Sequence, residues 1–193
     1  SLTGLFNRSF FEKELKHQEA KGGFPITILS AVVDGLKLIN ESFGHEQGNE
    51  VLKASAQILK ESLRETDIIA RVGGDEFAIL LPNTEEETAK LIQKRIESTT
   101  ESFNRSHPNL PISISIGMAH AQETDHSLEE LFQESENAMM RQKLHKGTSV
   151  RSHIIETLMT ALGERDFITQ GHAIRLSELC ERLAGRIELS QSQ

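Results

Sequence analysis

The stretch Arg71-Val72-Gly73-Gly74-Asp75-Glu76-Phe77 decides how the rest of the chain is interpreted. It separates two apolar runs, 68–70 and 77–81, that are rich in β-branched and large apolar side chains. Two such runs around a Gly-Gly turn are typical of a β-hairpin. Two carboxylates follow the glycines directly, and acids beside uncovered backbone suit a metal-bound phosphate ligand. The Gly-Gly-Asp-Glu tetrapeptide alone is equally typical of a solvated hairpin turn.

Length, charge and cysteine content narrow the class of protein. The 193 residues suffice for one full domain and part of another. A formal net charge of −8, without a Lys/Arg stripe, argues against a nucleic-acid-binding surface. The single cysteine, Cys180, excludes an internal disulfide and favours a reducing compartment, so we expect a cytoplasmic protein. No stretch has the apolar length of a membrane span, and no signal-peptide pattern is present, so we expect no membrane contact.

Hydrophobic periodicity predicts strands that alternate with helices. The near-continuous apolar run 26–33 predicts a strand covered on both faces, and the alternation over 112–116 predicts a half-buried strand. A short strand over 147–150 is expected to close the domain. This order around one hairpin predicts an α/β layer fold with helices on both faces of a mixed sheet. The predicted helix N-caps are Asn7, Asn49, Thr84 (with Glu87 in a capping box) and Ser127.

The pattern changes after residue 150. An apolar stripe from Ile154 to Leu162 predicts a helix, and the polar segment that follows is too short to form a core of its own. We therefore predict a first domain at 1–150, a helical linker at 151–163 and the start of a second domain at 164–193. Because the chain begins inside a motif and ends inside a helical pattern, we expect it to be a fragment of a longer protein.

The motifs taken together resemble those of a GGDEF domain, the family of diguanylate cyclases that make cyclic di-GMP from two GTP molecules. The resemblance covers about residues 1–150 and implies a nucleotidyl-cyclase or palm-like mixed sheet flanked by helices. It also implies a homodimer of domains that face each other, each with one GTP, a Mg²⁺ or Mn²⁺ cofactor and an upstream sensor domain. Besides the 73–77 signature, the matching pieces are Leu2-Thr3-Gly4-Leu5, Asn7-Arg8, Asp34 with Lys37, Ile39 and Asn40, Gly44-His45 with Gly48, and Ser115-Ile116-Gly117.

The resemblance assigns roles to individual residues. Asp75 falls on the family's metal-binding acid and Glu76 on its neighbour, which makes these two the catalytic candidates. The backbone carbonyl of Val33 is a further metal ligand, with Asp34 as a doubtful one. Two strand residues, or roughly 6–7 Å, separate Asp34 from the position that the family uses. The implied substrate-binding residues are Gly35, Leu36, Lys37, Asn40, Asn49, Gly73, Gly74 and Lys143.

Three positions depart from the family's pattern. Val32 stands where a metal-binding carboxylate is expected, and a valine cannot ligate Mg²⁺. Asn49 stands where an aspartate contacts guanine; its amide offers one acceptor and one donor group instead of acceptors alone. Gly147 stands where an arginine is expected four residues after Lys143. The three departures predict weak or absent cyclase turnover. A working diguanylate cyclase and a purely structural dimerisation module are the alternatives.

The family's inhibitory product site is matched instead. Arg64-Glu65-Thr66-Asp67 fits its Arg-x-x-Asp motif, and Arg95 fits a second arginine on the following helix. The rigid fork of an arginine can pair with guanine O6 and N7 and with phosphate. The alternative is an ordinary i,i+3 surface pair between Arg64 and Asp67.

The tail resembles the beginning of an HD-GYP phosphodiesterase domain, the family that degrades cyclic di-GMP. Glu164-Arg165-Asp166, Thr169, Gly171-His172 and Arg175 fit its first motif, and His172 matches its first metal histidine. The alternative is a polar helix start with a structural histidine. The resulting hypothesis is a degenerate GGDEF domain that binds GTP or cyclic di-GMP and regulates a linked HD-GYP domain.

Overall fold

A computed structural model of the protein describes residues 2–123 and 127–165, with 147–165 as backbone only. The chain divides into two compact units, 1–152 and 153–193. The sheet and the cleft described below belong to the first unit. The predicted boundaries at 150 and 163 stay predictions.

The described residues alternate between strands and helices in nearly the predicted order. The two-residue strand at the beginning had not been predicted, because it is too short to show a periodicity. The elements are β1 (Phe6–Asn7), α1 (Arg8–Lys21), β2 (Ile26–Val33), α2 (Leu36–Phe43), α3 (His45–Glu61), β3 (Ile68–Arg71), β4 (Glu76–Pro82), α4 (Glu86–Ser106), β5 (Ile114–Ala121) and α5 (Leu128–Arg165).

The strands form one mixed sheet in the order β1-β3-β4-β2-β5. The β1–β3 pair is parallel and the other pairs are antiparallel, so the predicted mixed sheet is confirmed. Strand β2 has a neighbour on each side and is buried along its whole length. Its continuous apolar run is therefore the pattern expected of a strand with both faces covered.

Helices cover both faces of the sheet, as predicted. Helices α2, α3 and α4 pack on one face, where Leu29, Ile79 and Ile92 belong to one buried apolar cluster. Helices α1 and α5 pack on the other face, where the rings of Phe11 and Phe132 lie 5.2 Å apart. The pleat of the strands sends alternate side chains to these two clusters.

Two of the predicted helix caps are confirmed. The Asn7 side chain accepts a hydrogen bond of 2.9 Å from the backbone N–H of Phe10. Ser127 and Glu130 form a reciprocal capping box, in which each side chain accepts from the backbone N–H of the other at 3.1 Å.

The caps predicted at Asn49 and Thr84 are wrong. Helix α3 begins at His45 after Gly44, which places Asn49 inside the helix. Helix α4 begins at Glu86 without a side-chain cap. Thr84 is buried, and its backbone N–H donates to the Pro25 carbonyl at 2.9 Å while its hydroxyl donates to the Pro82 carbonyl. Tertiary contacts therefore use the groups that a local cap would have used.

The strand predicted over 147–150 is also wrong, because α5 runs without a break through these residues. Side chains of α5 bond instead to the outer edge of β5, where a further strand would pair. The Gln142 side chain accepts from the Ile116 N–H, and Lys146 donates to the Ile114 carbonyl at 3.1 Å. An edge strand whose polar groups are bonded in this way offers fewer free groups to another strand.

Candidate functional site

A cleft of about 690 Å³ lies between the α2–α3 pair and the tip of the β3–β4 hairpin. It brings together most of the substrate-binding residues predicted from the sequence and the catalytic candidate Asp75. Its lining residues are Leu36, Lys37, Asn40, Glu41, His45, Asn49, Leu52, Arg71, Gly74 and Asp75.

Glycines shape the α2–α3 wall of this cleft. Gly35 precedes α2 at a φ of 72°, and Gly44 joins α2 to α3 at a φ of 86°, a region that favours glycine. Gly48 faces Asn40 so closely that a Cβ there would lie 1.9 Å from Asn40 Oδ1. The asparagine side chain is therefore held against α3, beside the wall that carries Asn49.

The hairpin tip is closed by the backbone N–H groups of Val72 and Gly73, which donate to the Glu76 carbonyl at 3.0 and 3.3 Å. Neither Gly73 nor Gly74 has a positive φ. Gly73 is needed for space instead, because a Cβ there would lie 2.4 Å from Glu76 Oε2. The sequence predicted the Gly-Gly turn, but only the folded tip shows that the Glu76 carboxylate lies over it.

Asp75 is anchored through its backbone and paired through its side chain. Its carbonyl accepts a 2.9 Å hydrogen bond from the Val33 N–H at the end of β2. Its Oδ2 lies 3.9 Å from the Lys143 Nζ of α5, and both side chains are more than a third exposed. The predicted phosphate-binding lysine thus forms an ion pair with the predicted metal ligand.

The Asp34 carboxylate is buried and occupied by hydroxyl donors. Ser113 Oγ donates to it at 2.8 Å, and Ser115 Oγ reaches both of its oxygens at 2.9 and 3.0 Å. Burial raises the pKa of Asp34 above its ordinary value, whereas the two hydroxyls and the charges of Lys146 and Lys143 act to lower that pKa. Ser115 is also the β5 partner of Val32, so Asp34 follows Val32 on the same strand face.

The residues at the hairpin do not fit the metal site that the resemblance implies. Val32 is only 1% exposed and stands between Glu76 of β4 and Ser115 of β5 in the sheet register. Within 2–123 and 127–165, no group of three or more His, Cys, Asp or Glu residues could hold a metal ion. The Val33 carbonyl and the Asp75 carboxylate remain as predicted ligands.

Glu76 faces a different set of charges from Asp75. Its charge raises the pKa of Glu136 on α5, although burial is the larger cause and Arg8 acts in the opposite direction. Arg8 itself is hydrogen-bonded to Glu12 at 2.8 Å. The two neighbouring acids of the signature therefore lie in separate electrostatic surroundings.

The cleft also contains residues that the sequence analysis did not single out. Glu41, His45 and Leu52 line it, and so does Arg71, whose guanidinium donates to the Gly74 carbonyl at 3.2 and 2.5 Å. Among the described residues, Arg71 forms no ion pair with a carboxylate. Its place directly before the signature is the signal that could have identified it.

A second group of predicted residues meets at the turn after α3. The Asp67 carboxylate accepts from the Arg64 N–H at 2.8 Å, and the Asp67 N–H donates to the Arg64 carbonyl at 3.1 Å. Arg95 of α4 donates to the carbonyl of Ser62, the last residue before this turn. We call Arg64, Asp67 and Arg95 the arginine turn. The fold brings the three together, and both arginines are exposed.

Two predictions concern features beyond these sites. His172 and the HD-GYP resemblance from Asp166 onward lie outside the described residues. None of the helices in the described ranges combines the length and the hydropathy of a membrane span.

Comparisons with known proteins agree with the geometry. The family model for the diguanylate cyclase GGDEF domain matches residues 1–149. The chain is 34% identical over 147 residues to the probable diguanylate cyclase DgcT of Escherichia coli, which covers 74% of this chain and 32% of that protein. It is 32% identical over 148 residues to the diguanylate cyclase DgcS of Shewanella oneidensis, with a coverage of 74% and 48%.

A solved structure shows the same architecture. The coiled coil and GGDEF domain of DgcB from Caulobacter crescentus, in complex with c-di-GMP, superposes with a TM-score of 0.67 at 25% identity. That match covers 75% of this chain and 79% of the solved one. The chain spans about a third to a half of the length of these curated relatives. With its first 149 residues matched and its sheet shared, this chain belongs to the GGDEF domain family of cyclic di-GMP signalling.

Proposed function

We propose that this GGDEF domain is a regulatory module that binds GTP and cyclic di-GMP and has weak or absent cyclase turnover. The observation that carries the proposal is Val32, a buried apolar side chain at the position of a metal-binding acid. Charge stabilisation by a metal and its ligands is the main means of catalysis in phosphoryl transfer. Loss of one charged ligand then lowers the rate by about two powers of ten or more.

Two other departures weaken the same reaction. Asn49 lines the cleft with an amide, so one of the pairings that an aspartate makes with guanine N1–H and N2–H₂ is lost. Gly147 gives no side chain to the phosphate end of the cleft, and Lys143 is left as the predicted cation there. These losses act on binding as well as on turnover, so we expect GTP to bind more weakly than in an intact family member.

The arginine turn supports cyclic di-GMP as a second ligand. Arg64 and Arg95 stand on adjacent elements with Asp67 between them, and their exposed guanidinium groups can reach a ligand. Guanine O6 and N7 and the two phosphates of cyclic di-GMP suit such paired forks. Calorimetric titration of the chain with cyclic di-GMP tests this ligand. Saturable binding is expected, and its absence at tens of micromolar would remove the ligand from the proposal.

The regulated output is proposed to be a linked HD-GYP phosphodiesterase. Its support is the sequence resemblance of residues 164–175, and the homodimer, the upstream sensor and the cytoplasmic location rest on resemblance or composition in the same way. In a longer chain that contains both domains, cyclic di-GMP or GTP should change the rate of cyclic di-GMP hydrolysis. Arg95→Ala should abolish the cyclic di-GMP part of that response.

A second candidate function is an active diguanylate cyclase. It is favoured by the cleft itself, which retains Asp75, Asn40 and Lys37 around one space large enough for a nucleotide. The assay is conversion of GTP to cyclic di-GMP with Mg²⁺ or Mn²⁺. Steady turnover that Asp75→Ala abolishes would establish the cyclase. If Val32→Asp raises turnover, the missing carboxylate was the main defect; an unchanged rate would contradict that explanation.

A further inference from the structure

The inference concerns how the cleft neutralises the charge of a bound triphosphate, and it rests on the proposed GTP binding. A divalent cation normally bridges the phosphates to one or two protein carboxylates and keeps several waters. Here the one predicted ligand that reaches the cleft, Asp75, already has a cation beside it. Its Oδ2 lies 3.9 Å from Lys143 Nζ.

Close packing of α5 places the lysine there. A Cβ on Gly117 of β5 would lie 2.0 Å from the Met139 backbone nitrogen and 2.2 Å from the Ser135 carbonyl oxygen. Helix α5 thus contacts the bare backbone of the sheet, four residues before Lys143 along the helix. Lys146, a turn further on, is fixed to the Ile114 carbonyl. The lysine is therefore presented by a firmly seated helix.

The other oxygens that could hold a cation are engaged elsewhere. Asp34 accepts from the Ser113 and Ser115 hydroxyls and is buried. Glu76 lies over Gly73, in an electrostatic environment shared with Glu136. Val32 has no donor atom. A cation that entered with the nucleotide would find one protein carboxylate, and that carboxylate would first have to part from the lysine.

Positive charge is nevertheless available at the cleft. The Arg71 guanidinium lines it and is bonded to a backbone carbonyl, with no carboxylate partner among the described residues. Lys143 is bound to Asp75 by a partly exposed contact, and such exposed pairs are worth only about 0–1 kcal/mol, so the lysine can turn to a phosphate. A guanidinium and an ammonium together suit a polyphosphate.

We infer that the cleft binds its nucleoside triphosphate as the metal-free anion, with Lys143 and Arg71 in the electrostatic role that a divalent cation has in intact members of the family. The family's metal acid, Asp75, then hinders binding, because its negative charge competes with the phosphates for Lys143.

The test is titration of the whole chain with a non-hydrolysable GTP analogue, once with Mg²⁺ and once with EDTA. The dissociation constants should agree within about threefold, because no protein ligand set discriminates between the two forms. In EDTA, Asp75→Asn should bind about threefold or more tightly than the wild type, and Lys143→Met about tenfold more weakly. Glu61→Gln, an exposed acid at the end of α3, is the matched charge control and should leave the affinity unchanged.

The sign of the Asp75→Asn effect separates the two accounts. Binding that requires Mg²⁺ and weakens in Asp75→Asn would overturn the inference and leave the proposed GTP binding intact. No binding by the wild type in either condition would overturn GTP binding itself, and the inference with it. Val32→Asp adds a second carboxylate and should make binding respond to Mg²⁺. If that buried substitution unfolds the chain, the wild-type and Asp75→Asn titrations still decide the question.

Discussion

The cleft and the arginine turn differ in how far their residues can be altered without loss of the fold. The cleft draws on the end of β2, two helices, the hairpin and α5, and its metal position is a buried site in the central strand. The arginine turn is a local loop plus one helix side chain. A valine at position 32 satisfies the sheet while it removes a metal ligand. The fold can therefore be preserved while the catalytic chemistry is lost and the exposed binding turn is kept.

The first and largest test uses the seat of α5. Gly117→Ala would place a Cβ within 2.2 Å of α5 backbone atoms, so we expect a loss of about 3 kcal/mol in the free energy of unfolding. The variant that remains folded should lose GTP affinity, because Lys143 is displaced, and should keep cyclic di-GMP affinity. Urea unfolding and the two titrations check this.

Gly74→Ala is the matched control for that variant. Gly74 has no positive φ, and a Cβ added there would meet no atom within 4 Å, so its unfolding free energy should change by less than about 0.5 kcal/mol. Equal losses in both variants would mean that α5 is not held by the close approach at Gly117.

The second test breaks the arginine turn alone. Arg95→Ala should weaken cyclic di-GMP binding by at least about tenfold, since a charge-assisted pairing with the ligand is lost. GTP binding at the cleft should not change. Lys94→Ala, on the same helix and also exposed, is the control. A similar loss in both variants would indicate a nonspecific charge effect of α4, and calorimetry distinguishes the outcomes.

The third test repairs one part of the cleft. Asn49→Asp should raise the preference for GTP over ATP by about tenfold, because acceptors alone suit the guanine N1–H and N2–H₂ edge. The dissociation constants of GTP and ATP analogues measure this preference. An unchanged ratio would mean that Asn49 does not contact the base, and cyclic di-GMP binding at the arginine turn should be unaffected in either case.

The smallest expected effect concerns the buried Asp34. Its pKa is raised above 3.8 in the folded state, so the folded protein binds more protons than the unfolded one just above that pH. Stability should therefore fall as the pH rises through this window, by up to about 1 kcal/mol between about pH 4 and about pH 7. Asp34→Asn should remove this slope in the unfolding free energy, whereas Glu61→Gln should not. Parallel curves for wild type and Asp34→Asn would show that the serine hydroxyls offset the cost of burial.

The accuracy of the sequence predictions depended on whether the signal was local. The β2 run, the hairpin, the Asn7 cap and the Ser127–Glu130 capping box all follow from residues close in sequence, and the structure contains each of them. The caps at Asn49 and Thr84 and the strand over 147–150 were wrong. In each case, a contact between distant residues, or a helix that began earlier, took the place of the local pattern.

The sequence by itself determined the family, the mixed α/β architecture and the loss of a carboxylate at position 32. These depend on residue identity and on periodicities of two and 3.6, which are properties of the chain before it folds. The tertiary structure alone decided which charges meet: Asp75 with Lys143, Asp34 with Ser113 and Ser115, and Arg71 with the rim of the cleft. Electrostatic interaction falls with distance in space, and the residues of each of the first two groups are more than sixty positions apart in sequence.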